Sequence, residues 1–233
     1  MILMLTNRCE MGCSHCMHSC VSDGIDIDFS IFSQFLEFKK GFNGPILLSG
    51  GEPTLHPYWH QFAEHLLNDG HVVYILSNGL FLDNEDEVNK VRNLLQYKPR
   101  FDVQITHDSR YYPKKINYSK AKELGLYITK EVTHIIPVGR AKDFVTKRDY
   151  SSCINPKLIR KQLPNYNVIE IENIMAERGK YCFPLISQLG DIYVGEAVEC
   201  FKIGTIYDTF EQIGKNIEKV SCEKCGLKNS LSL

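Results

Sequence analysis

Cys9-Glu10-Met11-Gly12-Cys13-Ser14-His15-Cys16 spaces three cysteines as C-x3-C-x2-C, directly after a short apolar run from Met1 to Leu5. Thiolates are soft ligands suited to iron–sulfur clusters, and a loop this tight can wrap three of them around one cubane. Three protein ligands for four irons leave one iron open to chemistry. A structural zinc knuckle is the competing use of such a loop, but zinc asks for four ligands and the spacing offers three.

Residues 46–53, Ile-Leu-Leu-Ser-Gly-Gly-Glu-Pro, read as a buried strand ending in Gly50-Gly51-Glu52-Pro53. Two glycines let a backbone approach a ligand closely, and Glu52 can accept hydrogen bonds from an ammonium group. Alone, the segment is equally an ordinary strand-to-loop turn. Following the cysteine loop by one β-α unit, it resembles the radical S-adenosylmethionine (AdoMet) superfamily. The resemblance implies a 4Fe-4S cluster on Cys9, Cys13 and Cys16 whose open iron chelates the amino and carboxylate groups of AdoMet. It also implies that Gly50, Gly51, Glu52 and Pro53 bind the methionine amino group. His15 stands where that family usually carries an aromatic residue before the last cysteine, and is grouped with the cofactor-binding residues.

The elements that must position these residues alternate strand and helix. Residues 2–6 predict a first strand; Asp28 can cap a helix to about Lys40, with Phe32, Phe35 and Leu36 at helical spacing. Strands follow at Ile46–Ser49, His71–Ser77, Phe101–His107 and Leu126–His134, separated by helices near 57–69, 83–96 and 119–124. That alternation predicts right-handed β-α-β units and a parallel sheet, whose ligands sit at the carboxyl ends of the strands. The resemblance specifies an α/β fold, a partial, open (β/α)6 barrel. It places Ser77 and Asn78 on the adenosyl ribose, although Ser-Asn-Gly after a strand is also a common turn; Thr106 and His107, ending the fourth strand, are candidates for further ribose or adenine contacts.

The loop Asp108–Asn117 carries Arg110, Tyr111, Tyr112, Lys114 and Lys115, which could seat an anionic or planar substrate. A solvated loop with packing tyrosines is the plainer alternative. Pro137-Val138-Gly139-Arg140-Ala141 resembles a P-x-G-R-A segment of peptide- and cofactor-modifying relatives, which makes Arg140 a candidate substrate contact. Residues 150–179 read as a connector with a short strand at Val168–Ile171 and a helix to about Arg178. Cys153 and Cys20 are isolated and read as small buried hydrophobes.

Cys182, Cys200, Cys222 and Cys225 form a second group. A hairpin (Leu185–Leu189, then Ile192–Gly195) lies between the first two, and an amphipathic helix near Thr209–Val220 precedes the closing C-x2-C. The layout resembles the truncated auxiliary-cluster module called twitch, a shortened relative of SPASM. SPASM proteins hold two auxiliary clusters; this chain ends shortly after Cys225, and the expectation is one 4Fe-4S cluster. A tetrathiolate zinc site would use the same residues. The expected organisation is a barrel over 1–149, a connector with the last barrel elements over 150–179, and a twitch-like module over 180–233. The resemblance spans 1–140 and about 180–226.

The chain has 233 residues, 43% of them apolar, which suits one sizeable core. Lys+Arg 27 against Asp+Glu 28 leaves no overall field to recruit duplex nucleic acid or a membrane. Nine cysteines, an odd number gathered in ligand-like groups, point to a reducing cytoplasm. Flavodoxin or ferredoxin is the implied reductant. The cleaved cofactor's 5′-deoxyadenosyl radical would take hydrogen from a substrate, with net oxidation of a small molecule as the first expectation. Peptide and nucleotide substrates are the alternatives, the peptide one weakened by a chain that opens directly on the barrel. A passive cluster- or zinc-binding module would have no use for Gly50–Pro53.

Overall fold

The computed structural model describes residues 1–129, 135, 138–143, 165–177, 184–195 and 197–220. Strands β1 (Ile2–Thr6), β2 (Ile46–Gly50), β3 (Val73–Ser77), β4 (Phe101–Thr106) and β5 (Tyr127–Thr129) lie side by side in chain order, every pair parallel. Helices α1 (Phe29–Phe38), α2 (Trp59–Asn68), α3 (Glu85–Leu94) and α4 (Tyr118–Glu123) make the crossovers. Local signals explain where they begin. The Asp28 carboxylate accepts from the N–H of Ser30 and starts α1. Asn84 accepts from Asp86 and Glu87 at the start of α3, where three acidic residues meet the positive end of the helix dipole.

Side-chain alternation divides each strand. In β4, Phe101, Val103 and Ile105 are buried in one cluster with Val88, Val91 and Leu94 of α3. Gln104 and Thr106 point to the other face, towards the barrel interior. Phe32 of α1 stacks on Phe62 of α2 with centroids 3.9 Å apart, joining the first two crossovers.

One expectation changes. Val168–Ile171 is not a strand but the first turn of α5 (Val168–Glu177). Asn167 Oδ1 accepts from the N–H groups of Ile169 and Glu170, and the Glu170 carboxylate accepts from the Asn167 N–H; this reciprocal cap fixes a helix start. The expected hairpin is present and extends the barrel sheet. Its strands β6 (Leu185–Ile186) and β7 (Asp191–Tyr193) are antiparallel, but β6 also pairs in parallel with β1, Ile2 opposite Leu185. β8 (Lys202–Thr205) completes an open sheet ordered β5-β4-β3-β2-β1-β6-β7-β8. Without β6, that side of β1 would offer unpaired N–H and C=O groups. Helix α6 (Phe210–Ile217) opens on a Thr209–Gln212 capping box and buries Ile213 and Ile217 in the main core.

The expected strand beyond Thr129, most of the connector with Cys153, and the helix end at Arg178 lie outside the described residues. Among the described residues, no helix is long and apolar enough to cross a membrane.

Candidate functional site

A cavity of about 430 Å³ opens at the sheet, lined by the side chains of Cys9, Cys13 and Cys16. Gly50, Gly51, Ser77, Asn78 and Thr106 line it as well, so residues from the ends of three strands or the turns after them meet the cysteine loop. His15 joins them. Glu52 and Pro53 stand just outside the lining, both buried.

The cysteine loop is held by its own chain. Asn7 and Cys9 donate to the carbonyls of Ile25 and Val21, closing the base of the loop. Arg8 grips Asp26 through Nε and Nη2 at 2.9 and 2.7 Å, while its carbonyl takes the Glu52 N–H. From the far side of the sequence comes Arg140. Its Nε donates to the Cys13 carbonyl at 2.9 Å, its Nη1 to Cys20 at 2.8 Å, and its backbone N–H to Cys16. Gly139 makes that approach possible, since a Cβ there would sit 2.4 Å from the Cys16 oxygen. Arg140, expected on substrate, is engaged by the loop.

The two glycines of Gly50-Gly51-Glu52-Pro53 serve a similar close approach. A Cβ on Gly50 would fall 2.1 Å from the Thr6 oxygen, and one on Gly51 2.1 Å from the Arg8 oxygen. Their bareness lets the turn after β2 press against the start of the cysteine loop, while both also line the cavity.

Glu52 links three motifs. Its Oε1 accepts from Ser77 Oγ at 2.9 Å and Thr54 Oγ1 at 2.7 Å; its Oε2 accepts from the Asn78 N–H at 2.7 Å. Burial pushes the carboxyl above its ordinary pKa, against the pull of these donors. Asn78 then reaches the first motif, with Nδ2 3.5 Å from Cys9 Sγ.

The thiols differ electrostatically. Burial raises the pKa of Cys9, and burial followed by the neighbouring cysteines pushes Cys13 to about 12. Cys16 is lowered to about 6, first by the hydrogen bond from the Cys20 side chain, with the Cys20 N–H 3.4 Å from its sulfur. Binding iron must therefore displace protons from Cys9 and Cys13. Among the described residues, no three Cys, His, Asp or Glu side chains are gathered closely enough for a single metal ion. Three thiols ringing a larger space suit a cluster.

Cys20 and His18 also line the cavity, as do Gln104 and Tyr112. Gln104 was legible through its two-residue spacing from Thr106; Cys20 and His18 carried no signal beyond closeness to the motif. Burial holds the His18 pKa at about 4 and lowers that of His15, so both rings are neutral near pH 7. His15 packs against Tyr111 and Tyr112, with centroids 4.8 and 5.2 Å away. Tyr112 donates its hydroxyl to Thr106 Oγ1. His107 does not line the cavity: it anchors the mouth loop between the Lys114 carbonyl and the Tyr118 hydroxyl. Arg110 forks onto Asp108, and Lys114 and Lys115 are exposed outside the lining.

Of the second cysteine group, Cys200 is described; Cys182, Cys222 and Cys225 lie outside the described residues. Cys200, like Met17, packs against the buried pair Val138 and Ala197, and its neighbour Glu199 accepts from the Gly139 N–H at 2.9 Å.

No protein-family model matches the chain, and no curated protein matches it in sequence. Solved structures do. Native anSMEcpe with bound AdoMet and Cp18Cys peptide matches with a TM-score of 0.54 at 15% identity, over 94% of this chain and 81% of that one. BtrN in complex with AdoMet and 2-DOIA matches with a TM-score of 0.54 at 17% identity, over 100% of this chain and 93% of that one. At such identities the likeness is one of fold: the chain has the open α/β barrel architecture of these two proteins.

Proposed function

We propose that the chain is a radical AdoMet enzyme. The observation that carries this reading is the meeting of Cys9, Cys13 and Cys16 with Gly50, Gly51, Ser77 and Asn78 around one cavity. Two proteins of the same fold, both solved with AdoMet, support it. When bound, the 4Fe-4S cluster and AdoMet supply reductive C–S cleavage and a 5′-deoxyadenosyl radical able to take hydrogen from an unactivated C–H bond.

The chain's own residues bind and orient. Cys9, Cys13 and Cys16 would hold the cluster, and the Arg8 and Arg140 clamps fix their loop. Ser77, Asn78 and Thr106 give the wall polar atoms suited to ribose hydroxyls. Glu52 stiffens that wall from behind, and its carboxylate would favour an ammonium group bound in the cavity. His15 and Tyr112 supply flat surfaces for a planar base.

For substrate we propose a small molecule that undergoes net oxidation, losing one hydrogen atom and then one proton and one electron. Cys182, Cys200, Cys222 and Cys225 would hold a second cluster, which supplies an electron acceptor. The packing of Cys200 against Val138 and Ala197, the same two residues that Met17 of the first cysteine loop packs against, supports a second site near the first. BtrN, solved with the ligand 2-DOIA, offers a fold-level parallel. The exposed positions of Lys114 and Lys115 remove the main support for an anionic nucleotide. Flavodoxin or ferredoxin as reductant and a cytoplasmic setting complete the proposal.

The test is anaerobic reconstitution with iron and sulfide, reduction with dithionite, and mass spectrometry for 5′-deoxyadenosine. Iron-loaded wild type should form it and Cys13→Ala should not. Iron-loaded wild type that leaves AdoMet intact would overturn the reading.

A further inference from the structure

We propose that Asn78 is a positioning residue for Cys9, its side-chain amide donating to the sulfur and setting the reduction potential of the cluster held there. The inference rests on the reading that Cys9 is an iron ligand.

Three contacts fix Asn78. Its backbone N–H is bound to Glu52 Oε2 at 2.7 Å, and its Oδ1 accepts from the Leu80 N–H at 2.9 Å. An amide oxygen that must accept from Leu80 leaves the amide nitrogen facing the other way, so the assignment of Nδ2 to the sulfur side follows from donor and acceptor types. That nitrogen lies 3.5 Å from Cys9 Sγ. The residue is buried, and Ser77 closes the turn beneath it by accepting from the Gly79 N–H at 3.0 Å. Turning the amide fully towards a ribose hydroxyl would cost either the Leu80 or the sulfur contact.

An N–H aimed at a ligating sulfur favours the more negative, reduced state of an iron–sulfur centre, and so raises its potential. Cys16 accepts an N–H from Cys20, a contact fixed by the backbone of the loop itself. At Cys9 a side chain from β3's end contributes the donor, and Glu52 holds that side chain's backbone. The segment containing Gly50–Pro53 thereby bears on the first cysteine through one intermediate residue.

The experiment compares reconstituted wild type, Asn78→Asp and Asn78→Ser by redox titration followed by electron paramagnetic resonance without AdoMet, with iron release to a chelator measured in parallel. Asn78→Asp keeps an oxygen for Leu80 but replaces the donor with an anionic acceptor. Asn78→Ser keeps a short acceptor able to form the same turn and lacks the reach to the sulfur. Both should show a more negative midpoint, and iron should be held about tenfold more weakly. Should the aspartate variant refuse iron, the serine variant still reads the potential. An unchanged midpoint with normal iron in either folded variant would overturn the role of Asn78 while leaving the cluster in place. Wild type that takes up no cluster would overturn the iron-ligand reading beneath it.

Discussion

The Nε of Arg140 donates to the carbonyl oxygen of Cys13 at 2.9 Å, across 127 residues of sequence. With Nη1 on the Cys20 carbonyl, one guanidinium spans both ends of the second half of the cysteine loop. Its charge also favours the thiolates of Cys13 and Cys16. Arg140→Ala should therefore weaken iron retention about tenfold, the cost of losing a group that orients ligands. Arg140→Lys should recover little, because a single ammonium lacks the fork that serves two carbonyls. Iron per monomer after a chelator challenge checks this; unchanged iron with poorer substrate binding would place Arg140 on the substrate instead.

Glu52 gives a second expectation. Removing the carboxylate leaves Ser77, Thr54 and the Asn78 N–H without their buried acceptor, at about 1–3 kcal/mol for each group left unsatisfied. Glu52→Ala should lower the unfolding free energy of the metal-free protein and weaken AdoMet binding together. Glu52→Gln keeps the shape but turns a donor towards donors, and should fall between. Urea unfolding and calorimetric AdoMet titration separate the two effects. Lost AdoMet affinity at unchanged stability would mean that the carboxylate acts on the ligand alone.

The acid limb of stability has a traceable source in His56. The ring is buried; Nε2 faces the Ile27 carbonyl and Nδ1 accepts from the Tyr58 N–H, which fixes the neutral tautomer. Burial lowers its pKa below the ordinary value. A base with a lowered folded pKa binds fewer protons folded than unfolded, so its stabilising effect is complete above the unfolded pKa of about 6.5 and fades as pH falls below it. Metal-free protein should lose stability from pH 6.5 downwards, and His56→Gln should show a shallower loss, by at most about 1.4 kcal/mol per pH unit. Equal slopes in urea unfolding at pH 7.5 and 5.5 would assign the acid sensitivity elsewhere, first to His18, whose pKa burial holds at about 4, with His15, His60 and His71 the other rings lowered by burial.

Short-range chemistry made much of the site legible. The cysteine spacing, the bare turn after β2 and the Ser-Asn-Gly after β3 each sit within a few residues, and the strand–helix alternation places them together. What stayed hidden depends on long-range partners. Nothing near Arg140 announces the Cys13 carbonyl, and nothing near Gly51 announces the Arg8 oxygen its Cβ would strike. Strand β6 pairs with β1 through two residues, too few for any periodic signal. At Val168–Ile171 the β-branched residues argued for a strand, whereas Asn167 and Glu170 formed the capping pair that decided for a helix.

The last expectation concerns Cys200. It shares a small apolar cluster with Met17, one residue past Cys16, and with Val138, one residue before the glycine that admits Arg140. Glu199 reinforces the join by accepting the Gly139 N–H. A metal centre at Cys200 would thus share its apolar neighbours Val138 and Ala197 with Met17 of the first cysteine loop. If Cys182, Cys200, Cys222 and Cys225 hold a second 4Fe-4S cluster, reconstituted wild type should carry about eight irons per monomer and Cys200→Ala about four. The variant should still cleave AdoMet, since the first three thiols are untouched, but fail to complete an oxidation that needs an electron acceptor. Four irons in wild type, or zinc found at the second site by metal analysis, would remove that acceptor. A product isomeric with its substrate, with deuterium returned from 5′-deoxyadenosine, would then identify the reaction as a rearrangement.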